Sequence, residues 1–170
     1  MSKGIIVSGF PAVGKSFLPD NSKGVNIIDS DSSKYSWVKD SDGNNTKERN
    51  PNFPSNYIQH IKKMKTYADI ILVSSHKEVI NSLIEEDLDF TIVRPHIDCK
   101  DEWIRRLEQR GSTQGFIDLI SKNWDTWLIE LEDFNFEHNL IREIILNEND
   151  YLIDKLKLIL VYTKGYDNND

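Results

Sequence analysis

Cysteine, basic charge and long apolar runs are all scarce in this sequence. Its 170 residues contain one cysteine, Cys99, which cannot form an internal disulfide and so indicates a protein of the reducing cytosol. No run approaches the roughly 20 apolar residues that a membrane span needs, and the first apolar run, Gly4–Val7, is too short for a signal peptide. Acidic residues outnumber basic ones by 28 to 21, for a net charge of −7, which argues against a protein that coats a polyanion.

The apolar residues that are present follow an alternating strand and helix pattern. Hydrophobic residues make up 38% and charged residues 29%, as in a folded globular chain, and the length fits one domain over residues 1–170. Helical patterns separate five short β-branched runs, which predict strands at Gly4–Ser8, Val25–Asp29, Ile70–Ser74, Phe90–Val93 and Arg142–Leu146. Nearly continuous apolar strands are typical of a parallel sheet buried on both faces, so we predict an α/β domain with right-handed βαβ crossovers.

One polar segment, Ser30–Pro54, interrupts this alternation. It is rich in Asn, Asp and Ser, contains two prolines, and directly follows the second predicted strand. The carboxyl ends of strands are where open α/β sheets bind ligands, and long loops in compact domains are usually functional or disordered.

The segment Gly9–Ser16, with sequence GFPAVGKS, matches the phosphate-binding pattern GxxxxGK[ST] at every fixed position. Glycines let backbone N–H groups converge on an anion, and the N-terminus of a following helix adds positive charge. Lys15 would reach the β- and γ-phosphates, and the Ser16 hydroxyl would bind Mg²⁺. The residues expected to hold the nucleotide are Gly9, Ala12, Val13, Gly14, Lys15, Ser16 and Phe17. Pro19 predicts that the helix after the loop is short.

Other sequence features distinguish among the classes of protein that carry such a loop. A GTPase would carry a guanine-reading Asn/Thr-Lys-x-Asp motif after a late strand, and the sequence has none. An ATPase usually ends a strand with an acidic residue that holds Mg²⁺ through water, whereas the third predicted strand ends in Ser74, Ser75 and His76. A small kinase fits better.

Candidate acceptor and transfer residues follow the second strand and lie in a later helix. Asp29 and Asp31, two residues apart on an extended segment, face the same side, so one could order Mg²⁺ and the other could orient or deprotonate an acceptor, or both could belong to an Asx turn. Tyr35 and Trp37 could stack on a base, Arg49 could pair with an acceptor phosphate, and His76 borders the expected cleft. Arg106 and Arg110, four residues apart on one helix face, could neutralise the transferred phosphoryl group, whereas Arg105 points away.

Several segments together resemble the small P-loop nucleotide kinases, adenylate or nucleoside monophosphate kinase-like, of bacteriophages and Firmicutes. They are GFPAVGKS, IDSDSSKYSW, RNPNFPSNYIQHIK, ILVSSHKEV, RRLEQRGS and the helix containing NWDTW. The resemblance implies a three-layer P-loop kinase fold, with a five-stranded parallel sheet in the order 2-3-1-4-5 and helices on both faces. It also implies an acceptor-binding insert over residues 30–56 and a lid over residues 101–115.

The same resemblance implies roles for single residues. It places Gly9–Ser16 on the phosphates of an ATP donor, Asp29, Asp31 and Arg49 at the acceptor, and Arg106 and Arg110 in the lid. The sequence departs from adenylate kinases after the third strand, where Ser-Ser-His replaces Asp-Gly-x-Pro-Arg, and the lid has neither a large insert nor a cysteine zinc cluster.

The predicted function is therefore Mg²⁺-dependent transfer of a phosphoryl group from ATP to a (deoxy)nucleoside monophosphate. We expect a cytoplasmic monomer or homodimer, in the host cytoplasm for a phage protein, with small-molecule nucleotide substrates and no membrane partner. One alternative is a kinase that phosphorylates a hydroxyl of a nucleoside, a modified DNA base or another small molecule, with Asp29 or Asp31 as general base. The other is a sensor that binds ATP without catalysis.

Overall fold

The computed structural model describes residues 4–138 and 141–164. Its strands are β1 (Ile5–Gly9), β2 (Ile27–Asp29), β3 (Trp37–Lys39), β4 (Asn45–Arg49), β5 (Ile70–Ser74), β6 (Phe90–Pro95) and β7 (Ile141–Leu146). Its helices are α1 (Leu18–Asn21), α2 (Ser33–Ser36), α3 (Ser55–Met64), α4 (Lys77–Glu85), α5 (Lys100–Gln109), α6 (Gln114–Glu137) and α7 (Leu156–Lys164), and 3₁₀ turns span Ile97–Cys99 and Leu152–Lys155.

Five of the strands form one parallel sheet in the order β2-β5-β1-β6-β7. When the strands of this sheet are numbered by themselves, the order is 2-3-1-4-5, so the predicted α/β P-loop kinase fold is confirmed. The central strands are buried, with Ile70–Val73 fully inaccessible, because helices cover both faces of the sheet. No helix among the described residues has the length and apolar character that crossing a membrane requires.

The longest helix, α6, buries one stripe of its surface against β6 and β7. Ile117, Ile120, Trp124, Leu128 and Leu131 are buried, at spacings of three and four residues, as one face of a helix requires. Thr113 caps its start, because the Thr113 side chain accepts a hydrogen bond from the Phe116 amide. This helix forms a long wall beside the carboxyl ends of the strands.

Strand β2 is two residues shorter at its start than predicted. The Val25 amide donates to the Ser22 carbonyl in a turn, and the Asn26 amide donates to the Asp69 carboxylate at 2.8 Å. Both donors are therefore committed outside the sheet ladder, and regular pairing begins at Ile27.

The polar segment Ser30–Pro54 is folded rather than a long loop. It contains α2 and an antiparallel hairpin, β3–β4, in which Trp37 pairs with Arg49. Gly43 has φ +82° at the turn, and the Asp40 carboxylate accepts hydrogen bonds from the Asp42 and Asn44 amides. The Asp42-Gly43 pair in this turn is a sequence signal of a hairpin, although no hairpin was predicted here.

Candidate functional site

The phosphate loop follows β1 and closes around its own lysine. The Lys15 ammonium donates hydrogen bonds to the carbonyls of Gly9 at 2.5 Å and Phe10 at 3.3 Å. Gly14 has φ +97°, a conformation that favours glycine. Helix α1 has four residues and begins at Leu18, with Pro19 in its first turn, so the expected short helix is confirmed. That helix starts beyond Ser16, so its N-terminus does not lie directly after Lys15 as the sequence pattern predicts.

Part of the predicted nucleotide set lines a cavity of about 750 Å³, which we call the phosphate-loop cavity. Ala12, Gly14, Lys15 and Ser16 border it. Val13 is buried in the core, Phe17 is 55% exposed, and neither lines this cavity, whereas Gly9 lines a neighbouring one. The loop is braced from outside, because the Leu152 amide donates to the Val13 carbonyl at 2.9 Å.

The structure separates the two aspartates at the end of β2, and both line the phosphate-loop cavity. Asp29 is half-buried, and burial raises the pKa of its carboxyl while the Lys15 charge lowers it. Asp31 is exposed and accepts two hydrogen bonds from Ser33, at 2.9 Å from the amide and 2.7 Å from the hydroxyl. Asp31 thus forms the Asx turn that begins α2, whereas Asp29 has no such bond to its own loop among the described residues.

Burial also changes the titration of Lys15. Desolvation lowers the pKa of its ammonium to about 8, with a smaller lowering from Arg110, while Asp29 and Asp31 raise it. Even so, the ammonium stays mostly protonated at neutral pH, and a bound triphosphate would raise its pKa again.

Arg106 and Arg110 both border the phosphate-loop cavity but differ in burial. The Arg106 guanidinium is 4% exposed and lies between the rings of Trp103 and Tyr151, at 4.0 and 3.9 Å from their centroids. Its Nη2 donates to the Glu148 carbonyl at 2.7 Å, and its buried Nη1 has no hydrogen-bond partner among the described residues. Arg110 follows the end of α5, is exposed, and bonds Ser112 at 2.8 Å. Arg106 is therefore enclosed by its partners, whereas Arg110 is exposed to solvent at the end of the predicted lid helix.

A second cavity, of about 570 Å³, adjoins the first, and we call it the helix-walled cavity. Both cavities are lined by the same five residues at their boundary: Pro11, Lys15, Ser74, His76 and Phe116. Helix α6 lines the helix-walled cavity with Glu130 and with six apolar residues, which are Phe116, Leu119, Ile120, Trp127, Leu131 and Phe134.

Four charged side chains of the helix-walled cavity form two ion pairs, and Lys15 lies at its boundary with the phosphate-loop cavity. Arg49 forms an ion pair with Glu78, and Lys77 bonds Glu130 at 3.0 Å. Arg49 also lies over the ring of Phe53, 4.5 Å from its centroid. The predicted acceptor residue Arg49 thus reaches a cavity, with its charge already partnered.

The structure brings His76 to the boundary of the cavities but does not bring Tyr35 or Trp37 to either. Tyr35 packs against the rings of Tyr57 and His60, with centroids 5.3 and 4.8 Å away. Trp37 contacts the Arg49 guanidinium at 5.5 Å from the ring centroid. Both aromatic residues stabilise the insert, which is why neither is free to stack on a base.

Several cavity residues were not found by the sequence analysis. Ser74, at the end of β5, has a buried hydroxyl with no hydrogen-bond partner among the described residues. Trp127 belongs to the apolar residues of α6, but it is half-buried and lines the helix-walled cavity. Tyr151 follows β7, and its position beside Gly14 depends on the whole sheet, so no local pattern could reveal it.

The donor set at the phosphate loop fits Mg²⁺ held with a nucleotide rather than by protein alone. Among the described residues, no cluster of three or more His, Cys, Asp and Glu side chains could hold a metal ion. Ser16 and Asp29 offer oxygen ligands in the same cavity, and Mg²⁺ commonly takes one or two protein ligands plus phosphate oxygens.

No protein-family model matches this chain, and no curated protein matches it either. Among solved structures, a deoxyadenosine kinase from M. mycoides with bound dATP is similar over 95% of this chain and 100% of that chain. The two sequences are 16% identical and the TM-score is 0.46. At that level the similarity adds nothing to the fold and the geometry described above.

Proposed function

We propose that this protein is a Mg²⁺- and ATP-dependent kinase that phosphorylates a small molecule. The observation that carries the proposal is the phosphate loop with Lys15 and Asp29 in one cavity that opens onto a second. A donor site and an acceptor site must adjoin for in-line transfer, and the two cavities adjoin at the five lining residues that they share.

The donor triphosphate would lie in the phosphate-loop cavity. Lys15 would exchange its bonds to the Gly9 and Phe10 carbonyls for bonds to the β- and γ-phosphates, and Arg110 would add a second positive charge. Arg106 would offer its unpartnered Nη1 to the nucleotide while holding Tyr151 in place. Mg²⁺ bound by Ser16 and Asp29 would neutralise the charge of the phosphates.

The acceptor would lie in the helix-walled cavity, and two acceptor chemistries follow from the residues around it. A nucleoside monophosphate needs free cations, and Arg49 is the residue that supports this acceptor. A hydroxyl needs a group that takes its proton, which is an oxygen of the transferred phosphoryl group where Asp29 binds Mg²⁺, or the half-buried Asp29 carboxylate where Ser16 alone binds it.

The test is ADP release from Mg-ATP in the presence of nucleoside monophosphates, nucleosides and duplex DNA, with Lys15→Ala as the blank. Lys23→Ala is the matched control, because Lys23 is exposed and borders neither cavity. We expect acceptor-dependent turnover that the Lys15 variant loses and the Lys23 variant keeps. ATP binding without turnover on any acceptor would instead favour the sensor.

A further inference from the structure

We infer that the helix-walled cavity binds an uncharged acceptor, a small alcohol with an apolar or aromatic body. This inference rests on the proposed function and specifies its acceptor. It is carried by three features of the cavity: its apolar wall, its paired charges and the hydroxyl of Ser74.

The apolar wall favours an acceptor whose main part is apolar or aromatic. Helix α6 contributes Leu119, Trp127 and Leu131 to the cavity, and the volume of about 570 Å³ is within the range of small-molecule sites. Leu119 is 47% exposed although it is a leucine, so part of the wall faces the open cavity. Covering such a wall with a ring or aliphatic group removes apolar surface from water, which is favourable.

Apart from Lys15 at the boundary with the phosphate-loop cavity, the cations of the helix-walled cavity already have carboxylate partners. Arg49 pairs with Glu78 and Lys77 pairs with Glu130. The pKa of His76 is lowered, chiefly by burial. A phosphate group carrying nearly two negative charges would have to share Lys15 with the donor triphosphate or displace a carboxylate from Arg49 or Lys77, and a neutral acceptor does neither.

Ser74 supplies a polar contact where the two cavities meet. Its hydroxyl is buried, lacks a partner among the described residues, and belongs to the lining of both cavities. A buried hydroxyl without a partner costs free energy, which an acceptor hydroxyl bonded to it would recover. That contact would orient the acceptor oxygen toward the donor phosphates.

The transfer step forms one bond between oxygen and phosphorus and breaks another. The acceptor oxygen forms a bond to the γ-phosphorus of ATP while the bond from that phosphorus to the β,γ-bridging oxygen breaks, and its electron pair leaves with ADP. The proton of the acceptor hydroxyl passes to an oxygen of the transferred phosphoryl group.

The experiment compares acceptors that differ only in a phosphate group, using adenosine against AMP and thymidine against dTMP, with 2-naphthylmethanol as a third neutral probe. Phosphorylated product is measured by mass spectrometry, and kcat/KM is determined for the wild type, Leu119→Lys and Ile129→Lys. Both substituted residues lie on α6 and are similarly exposed, at 47% and 49%, but Ile129 does not line the cavity. Leu119→Lys puts an unpaired cation into the apolar wall.

We expect at least one neutral acceptor to be preferred over its monophosphate by about tenfold or more in kcat/KM. Leu119→Lys should reduce or reverse that preference, and Ile129→Lys should leave it unchanged. Ser74→Ala should raise KM for the neutral acceptor and leave the ATP Kd unchanged. Preferred transfer to monophosphates would overturn this inference and leave the proposed function standing, whereas no Lys15-dependent transfer to any acceptor would overturn both.

Discussion

The phosphate-loop cavity and the helix-walled cavity share a boundary but treat charge in opposite ways. In the first, Lys15 at the boundary and Arg110 lie outside ion-pair distance of any carboxylate among the described residues, whereas Arg106 pairs with Glu102 at 3.3 Å. In the second, Arg49 and Lys77 are each neutralised by a carboxylate, and a helix supplies an apolar wall. The contrast teaches that recognition of an anion requires charge left free, so the two sites suit different ligands.

The largest effect that we expect is a loss of activity on substituting Asp29, which lines the phosphate-loop cavity. Asp29→Asn removes the half-buried carboxylate that is proposed to bind Mg²⁺ or to take the acceptor proton, and kcat should fall by about 10²- to 10⁴-fold, the size of effect usual for loss of a general base. Asp31→Asn is the matched control, because Asp31 is exposed and bonded to Ser33, and its kcat should change by less than about threefold. Equal losses in the two variants would contradict the division of roles.

Arg106 and Arg110 line one cavity, but we expect Arg106 to contribute more to stability and Arg110 more to ATP affinity. Arg106→Ala removes a guanidinium held between two rings, and the free energy of unfolding should fall by about 2–4 kcal/mol in urea denaturation. Arg110→Ala should change stability by less than about 0.5 kcal/mol but raise the ATP Kd by about tenfold. A stability loss in Arg110→Ala larger than in Arg106→Ala would reverse the interpretation.

The lowered pKa of Lys15 predicts a pH dependence of stability without nucleotide. The folded pKa of about 8 lies below the ordinary value of 10.5, so between these values the unfolded chain binds more protons at this residue. The free energy of unfolding of the wild type, relative to Lys15→Met, should therefore rise between pH 8 and 10.5, by about 1–3 kcal/mol. Urea titrations at several pH values measure this difference, and a decrease over the same range would contradict it.

The smallest expected effect makes the two cavities more alike. Glu78→Gln leaves Arg49 without its carboxylate, so the helix-walled cavity gains a free cation. The kcat/KM for a monophosphate acceptor should rise by about three- to tenfold, while Glu48→Gln, on exposed β4, should have no effect. An unchanged preference in Glu78→Gln would show that Arg49 does not reach the bound acceptor.

Local patterns were sufficient for the fold and for the donor side of the site. β-branched runs predicted all five sheet strands, and the fixed spacing from Gly9 to Ser16 predicted the phosphate loop. The second cavity could not be predicted in this way. Its wall is made of helix residues that also read as core, such as Trp127, and its charge balance depends on contacts between residues far apart, such as Arg49 and Glu78.

Sequence spacing also could not distinguish Asp29 from Asp31 or Arg106 from Arg110. Asp29 and Asp31 share one face of an extended segment by spacing alone, and only the bonds from Ser33 show that Asp31 is occupied. Arg106 and Arg110 share one helix face by spacing, but the rings of Trp103 and Tyr151 that hold Arg106 come from different parts of the chain.

The hydrogen bond from the Leu152 amide to the Val13 carbonyl also matters while the protein is being synthesised. A ribosome makes the phosphate loop among the first residues of this sequence, but it makes the brace only after every strand of the sheet has been translated. Nascent chains that stop short of β7 and the turn after it carry the whole GFPAVGKS motif without its support. We therefore expect ATP capture by the growing polypeptide to begin late, as a mark that translation of the domain is nearly complete.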